Sequence, residues 1–477
     1  MGEEIVQGNF RKEDFLRFGE RLRQETRLLE DWFRQSSADE EAESAGFELE
    51  LCLVDEHHLP APENEAVLQA VHDSHLVAEL SRFNLEMNSD PHPVAPTLLR
   101  DMREELERLW ATAESEAERR RLHLLMIGIL PTLPEEELTV KNMSPLLRYR
   151  ELNEQILRQR QGRPLHLNIQ GQEHLVAEHS DVMLEAAATS LQIHLQVSPA
   201  KAARFFNAAL IASAPLVALT ANSPYLFGKD LWAETRIPLF EQAVGLQGGL
   251  PKEGGLGRVS FGSGYARDSL YGFFLENLER FPALLPVELE EPPECLPHLR
   301  LHNGTIWRWN RPIVAPDESG QLHLRIEHRV MPAGPSVPDV VANIAVYLGL
   351  VHSLARGPEA AESRLSFESA RRNFYAAAEF GLDAELEWLQ GTKVSARELW
   401  MKSLLGQARR GLEGLGLDSE DCAYYFEEVL FGRLLRHCNG ALWQRGFVSR
   451  HGRDFPALVE AYADWQHRGL PIHEWKL

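Results

Sequence analysis

Apolar and polar residues alternate along several short stretches of this chain, and between those stretches the period lengthens to three and four residues. Alternation at period two predicts strands near 46–54, 82–88, 121–130, 165–170, 187–197 and 322–330. Helical spacing predicts helices at about 96–119, 142–160, 199–218 and 230–244. Ahead of them, residues 10–35 place Phe15, Phe18, Leu22, Leu28 and Leu29 at helical spacing, followed by the acidic linker SSADEEAESAG. From Val337 onward the pattern is almost wholly helical, over 337–356, 361–380, 394–412, 418–437 and 454–468. The mixture predicts an α+β protein with helices packed on one face of a sheet. Its expected divisions are 1–45, an N-terminal helix and linker; 46–336, a catalytic core; and 337–477, a helical region that is either a separate subdomain or an outer layer of one single domain.

The strands carry an unusual set of polar residues. Side chains two apart on a strand share a face, so GFELELCLV sets Glu48 and Glu50 opposite Phe47, Leu49 and Leu51. FNLEMNSDP sets Glu86 and Asn88 opposite Leu85 and Met87. TSLQIHLQV aligns Gln192, His194 and Gln196, LHLRIEHRV aligns His323, Arg325, Glu327 and Arg329, and LHLNIQ aligns His166, Asn168 and Gln170. Any one of these reads as a sheet with one face in water. Five together, rich in carboxylates, amides, histidine and arginine and lacking lysine, predict a shared polar surface that needs a bound cation and a bound anion for balance. Carboxylate oxygens suit Mg²⁺ or Mn²⁺, which bridge protein carboxylates to phosphates, and ATP would be the anion. Arg325 and Arg329 are suited to phosphoryl oxygens; the alternative is pairing with the neighbouring glutamates.

Composition narrows the partners. The 477 residues carry a formal charge of −22, which opposes unaided binding to nucleic acid or to an anionic membrane. Small-molecule substrates are the expected partners, with a homodimer left open. Cys52, Cys295, Cys422 and Cys438 are widely spaced and form no zinc-type pair, so a reducing, cytoplasmic setting fits. The N-terminal MGEEIVQGNF has no signal pattern. The apolar run Ala209 to Ala221, interrupted by Pro215, reads as a kinked core helix too short to span a membrane. The glycine-rich stretch 245–264 is a mobile lid or an ordinary surface loop. No GxxxxGK[ST], HExxH or GxSxG occurs, which excludes a P-loop and lowers zinc-protease and α/β-hydrolase readings. His57 and His58 read as surface histidines of a polar turn, and Cys52 as a buried structural cysteine.

The ordered blocks GFELEL, FNLEMNSDP, LLRYREL, SLQIHLQV, ANSPYLFG, GRVSFGSGY, HNGTIWRWNRP and RIEHRVMPAGPS resemble the glutamate–cysteine ligases of the second bacterial type and related carboxylate–amine ligases, over roughly 46–450. The resemblance implies a glutamine synthetase-like fold: a mainly antiparallel curved sheet with a polar active-site face, and helices on the other. It implies Glu48, Glu50, Glu86 and Glu327 as magnesium ligands, His194 in contact with metal-bound nucleotide, Gln192 and Arg325 beside the nucleotide, and Arg329 on the γ-phosphate. Asn222, Ser223, Arg236 and Arg258 look like substrate-pocket positions, or else residues that shape turns and cap helices. Arg308 and Arg311 are positioned to add positive charge near the acyl substrate, while Trp307 and Trp309 read as packing.

The implied reaction is ATP-dependent ligation of the glutamate γ-carboxylate to an amine through a γ-glutamyl phosphate, with cysteine as the first-choice acceptor. Two other readings stay open: the same chemistry with another amine, and a catalytically silent nucleotide-binding or scaffolding relative.

Overall fold

The computed structural model describes residues 4–35, 43–245, 256–317, 319–389 and 391–477. Residues 36–42 of the acidic linker and 246–255 of the glycine-rich stretch lie outside the described residues. An eight-stranded sheet organises the molecule. Its strands are β1 (Ser44–Asp55), β2 (Leu76–Ala78), β3 (Asn84–Asn88), β4 (His92–Pro93), β5 (Leu122–Leu125), β6 (Ser190–Gln196), β7 (Asn310–Pro316) and β8 (Leu322–Pro332). The order is β7-β8-β6-β1-β3-β2, with β4 and β5 also paired to β1, and every pairing is antiparallel.

The register explains why the polar residues meet. Across β1 and β3, Glu50 faces Glu86 and Glu48 faces Asn88. Across β1 and β6, Glu48 faces Gln192. Glu327 of β8 then lies between His194 of β6 and Arg311 of β7. Because opposed residues point to the same side of a sheet, five strands, β3, β1, β6, β8 and β7, build one polar face. The pairing slips between His328 and Met331, so Arg329 and Val330 together oppose Gln192. A bulge of this kind turns a side chain out of strict alternation.

The other face is apolar. Leu49, Leu51, Leu191, Ile193, Leu195, Leu324 and Ile326 are fully buried, and the helices α3 (Pro199–Thr220) and α5 (Val337–Ala355) pack there against β8 and β6. Both helices are long and apolar enough to cross a membrane, and 94% and 83% of their most apolar stretches are buried within the protein. The run thought too short for a span is part of α3, which at 22 residues continues through Pro215. Its setting is the core. Helix α5 crosses α7 (Leu405–Glu413) at Gly349 and Gly411, where a Cβ on either glycine would run into the backbone of the other helix.

The N-terminal helix α1 (Lys12–Gln35) buries Phe18, Leu22 and Leu29 in a satellite cluster with Phe274, Leu296, Leu299 and Val314. Helix α2 (Leu98–Glu118) packs on β5, and α9 (Phe455–His467) closes the C-terminal part. Between them in sequence lie α4 (Arg236–Ala243), α6 (Phe367–Phe380), which contacts α3, and α8 (Gly440–His451).

One expected member of the polar face is elsewhere. Leu165–Gln170 pairs only with His174–His179, in a separate two-stranded sheet, and His166, Asn168 and Gln170 point into solvent. For this strand alternation meant a wet face.

Candidate active site

The carboxylates gather in two groups on the polar face. Glu50, Glu79 and Glu86 bring one oxygen each within 4.8 Å of one another, and Glu48, His194 and Glu327 do the same with two oxygens and a ring nitrogen. Glu50 is fixed from β6: Ser190 N donates to Oε2 at 2.6 Å and Gln192 Nε2 to Oε1 at 2.9 Å. Glu86 accepts from Asn88 Nδ2 at 3.0 Å. His194 Nε2 lies 3.2 Å from Glu48, and its Nδ1 accepts from Arg325 Nε at 3.1 Å.

Three arginines hold the other end of the face. Arg311 grips Glu327 with both arms, Nε to Oε2 at 2.8 Å and Nη2 to Oε1 at 2.7 Å. Arg329 Nη1 lies 3.3 Å from Glu327 and donates to Gln192 Oε1. Arg329 therefore bridges the two carboxylate groups through Gln192, which passes the contact on to Glu50. Arg325 hydrogen-bonds His194 and, at 3.2 Å, His323, and feels the charges of Glu48 and Glu327, so the expected alternative of pairing with glutamates holds directly for Arg329 and at longer range for Arg325.

Burial and charge push the carboxylates in opposite directions. At Glu50 burial, reinforced by Glu79, raises the pKa to about 7 although Arg329 and Arg236 resist. Burial and the charges of Glu48 and Glu79 likewise hold Glu86 well above the carboxylate range. Glu327 is the reverse: burial would raise it, but Arg311, Arg329 and His194 bring it down to about 2. A cluster of acids that resist ionising together fits a cation, and an all-oxygen donor set fits a hard one such as Mg²⁺.

A small cavity of about 40 Å³ opens beside Glu50, lined among others by Glu79, Asn84, Glu185, Ser190, Arg236, Trp309 and Arg329. Arg236 reaches its wall from the start of α4, clamped by Glu234 at 3.3 Å and by the carbonyls of Arg329 and Met331 at 3.3 and 3.1 Å.

Other candidate residues are used as braces. The Asn222 amide donates to Ala333 O and to the Tyr462 hydroxyl, both at 2.8 Å, which ties the strand end to α9. Ser223 Oγ donates to Glu234 at 2.8 Å. Arg258 is 2% exposed and donates to the carbonyls of Thr305 and Pro282. Arg308 pairs with Glu276 at 2.6 Å and with Asn277. None of these four lines the cavity. Trp309, read as packing, lines it while its Nε1 donates to Glu241 at 2.8 Å.

Glu79 and Glu185 were missed by sequence reading. Glu79 sits between β2 and β3, and Glu185 in the short turn Met183–Ala187, so neither belongs to an alternating stretch.

A model of glutamate-cysteine ligase family 2 matches residues 44–463, which is most of the chain. The chain belongs to glutamate–cysteine ligase family 2. It is thus an enzyme, a carboxylate–amine ligase. No curated protein matches. Among solved structures, a glutamate–cysteine ligase from Francisella tularensis, in complex with AMP, is similar with a TM-score of 0.53 at 10% identity, over 90% of each chain. This likeness shows a shared fold. A bifunctional glutathione synthetase from Pasteurella multocida follows with a TM-score of 0.48 at 13% identity, covering 94% of this chain and 55% of that one. The ligase PafA, solved in complex with the ubiquitin-like protein Pup, has a TM-score of 0.41 at 11% identity, covering 89% and 72%.

Proposed function

We propose that this family 2 ligase uses ATP to phosphorylate the γ-carboxylate of glutamate and then joins the acyl group to an amine, with cysteine as the first acceptor to test. The observation that carries the reading is the adjacency of Glu50, Glu79 and Glu86 to Arg329 through the single amide of Gln192. Anions and cations so arranged suit a nucleotide triphosphate with its divalent ion and little else of small size. The AMP complex of the Francisella enzyme, on a shared fold, supports the nucleotide.

Glu50, Glu79 and Glu86 would hold one Mg²⁺, and Glu48 with His194 and Glu327 a second. Bound there, the ions would neutralise phosphate charge during transfer. Arg329, already charged and held by Glu327, stabilises the equatorial oxygens of the transferring phosphoryl group. A γ-carboxylate oxygen of glutamate attacks phosphorus and ADP leaves. The amine lone pair then attacks the acyl carbon, phosphate leaves with the C–O electrons, and the amine loses a proton. Positioning and electrostatics suffice, and no protein nucleophile is required.

The identity of the acceptor amine rests on the family alone: among the described residues, none lining the cavity beside Glu50 is a cysteine, methionine or histidine that would single out a thiol. ADP release should therefore be measured with Mg-ATP and glutamate across a panel of amino acids and polyamines, with the product weighed by mass spectrometry. A γ-glutamyl product with cysteine supports the full reading, and one with another amine only transfers it to that acceptor. No turnover with any amine refutes glutamate and ATP as the substrates.

A further inference from the structure

Away from the polar face, three metal-ligating side chains from distant parts of the chain meet. Glu114 comes from the last turns of α2, His123 from β5 and His467 from the end of α9. One ligand atom of each lies within 4.8 Å of the other two. His467 Nε2 stands 2.8 Å, and His123 Nδ1 3.6 Å, from the same oxygen, Glu114 Oε1. Tetrahedral zinc, with bonds near 2.0–2.1 Å to nitrogen, spaces its ligand atoms about 3.3 Å apart. The three groups thus need only small side-chain movements to share an ion.

Their orientation is set from behind. His467 Nδ1 is 2.7 Å from the carbonyl of Ala463, which turns Nε2 toward Glu114. The second oxygen of Glu114 accepts from Leu124 N at 2.9 Å, leaving Oε1 for the cluster. Backbone hydrogen bonds on the far side of a ligating imidazole or carboxylate are the usual supports of a metal site. Glu114 is buried, whereas the side chains of His123 and His467 are 36% and 34% exposed, so an ion has a path from solvent and room for a water ligand. His58, whose Nδ1 is buried without a hydrogen-bond partner, lies within electrostatic range of His123 and of Glu460 and Asp464 on α9.

We propose that Glu114, His123 and His467 form a site for a divalent transition metal of the zinc class, separate from the carboxylate face, which clamps α9 onto β5. Two imidazoles and one carboxylate select zinc or cobalt over magnesium. The helix so held is the one whose Tyr462 hydroxyl and Gln466 amide both donate to the Met126 carbonyl, at 2.9 and 3.0 Å, just beyond the end of β5. Ion binding there joins the C-terminal part of the chain to the central sheet.

The test titrates Zn²⁺ by calorimetry and Co²⁺ by visible absorption into the full chain in millimolar Mg²⁺, with a His194→Gln control that reads out any ion taken by the imidazole of the carboxylate face. One Zn²⁺ per chain, a tetrahedral cobalt spectrum, and a thermal midpoint raised by Zn²⁺ are expected. His467→Gln should abolish all three, and His123→Asn, at a half-exposed position that leaves the fold intact by circular dichroism, should weaken Zn²⁺ at least about tenfold. Equal zinc affinity in wild type and both variants, or no zinc bound by the wild type at micromolar concentration, overturns the proposal and leaves His467 and Glu114 as an ion pair only.

Discussion

Replacing Glu50 by glutamine removes one charge from the acidic group while keeping an oxygen for the Ser190 amide. In the metal-free protein the Glu50 carboxyl has a pKa raised from 4.5 to about 7, by burial first and by Glu79 second. The folded chain therefore holds a proton that the unfolded chain has released between those values. Stability from this group is fully present below about pH 4.5 and is lost as pH rises through about 7. At about 1.4 kcal/mol per pKa unit, the loss is on the order of 3 kcal/mol. Glu185, raised to about 8 by burial and Glu79, steepens the same decline. Urea unfolding from pH 5 to pH 8 in the presence of a chelator reads the effect. Glu50→Gln sets its new amide NH2 against the Gln192 Nε2 donor and should start below wild type near pH 5, but it should lack the wild-type decline of on the order of 3 kcal/mol between pH 5 and pH 8. Millimolar Mg²⁺ should remove most of the wild-type decline, because a bound cation replaces the proton. Equal pH slopes in the two proteins would refute the claim that Glu50 is strained by its neighbours.

Other parts of the structure give further tests. Arg311→Met leaves Glu327 buried without its two-armed partner and should cost about 3 kcal/mol in urea unfolding, with turnover reduced at least tenfold. Gly411→Ala forces α7 away from α5 and should cost about 2 kcal/mol. Gly406→Ala, on the same helix, meets only the end of the Arg410 side chain and should stabilise by up to about 1 kcal/mol; thermal melts of the pair separate close packing from helix propensity. Cys52 is 2% exposed and its thiol is pushed up to about 12 by burial, so alkylating reagents at neutral pH should leave it unlabelled by peptide mass mapping in the folded protein.

How far the sequence could be read depended on which interactions set each feature. Glu48, Glu50, Glu86, Gln192, His194 and Glu327 were legible because alternation along a strand fixes a face, and the pairing of β3, β1, β6 and β8 preserved it. LHLNIQ obeyed the same rule and lies on another sheet, since alternation says nothing about which strand is the neighbour. Strand β7 was missed: Pro312 and Pro316 within its seven residues weaken the strand signal, yet it is an edge strand, where proline is tolerated. The helix expected from 230 begins at Arg236, and that expected from 142 begins at Leu147, because the preceding residues form a short strand and a 3₁₀ turn. The role of Arg311 as the clamp on Glu327 came only with the β7–β8 register. Glu79 and Glu185 are brought in by turns, which carry no periodic signal. Asn222, Arg258 and Arg308 sit in conspicuous motifs, but their side chains are taken up by buried carbonyls, Tyr462, Glu276 and Asn277.

The central claim is activation of a carboxylate by phosphoryl transfer, and isotope transfer tests it most directly. Glutamate labelled with ¹⁸O in the γ-carboxylate should be turned over with Mg-ATP and an accepted amine, and the released phosphate analysed by mass. One ¹⁸O atom per phosphate, together with ADP, is expected. Unlabelled phosphate, or AMP and pyrophosphate in place of ADP and phosphate, would contradict the account.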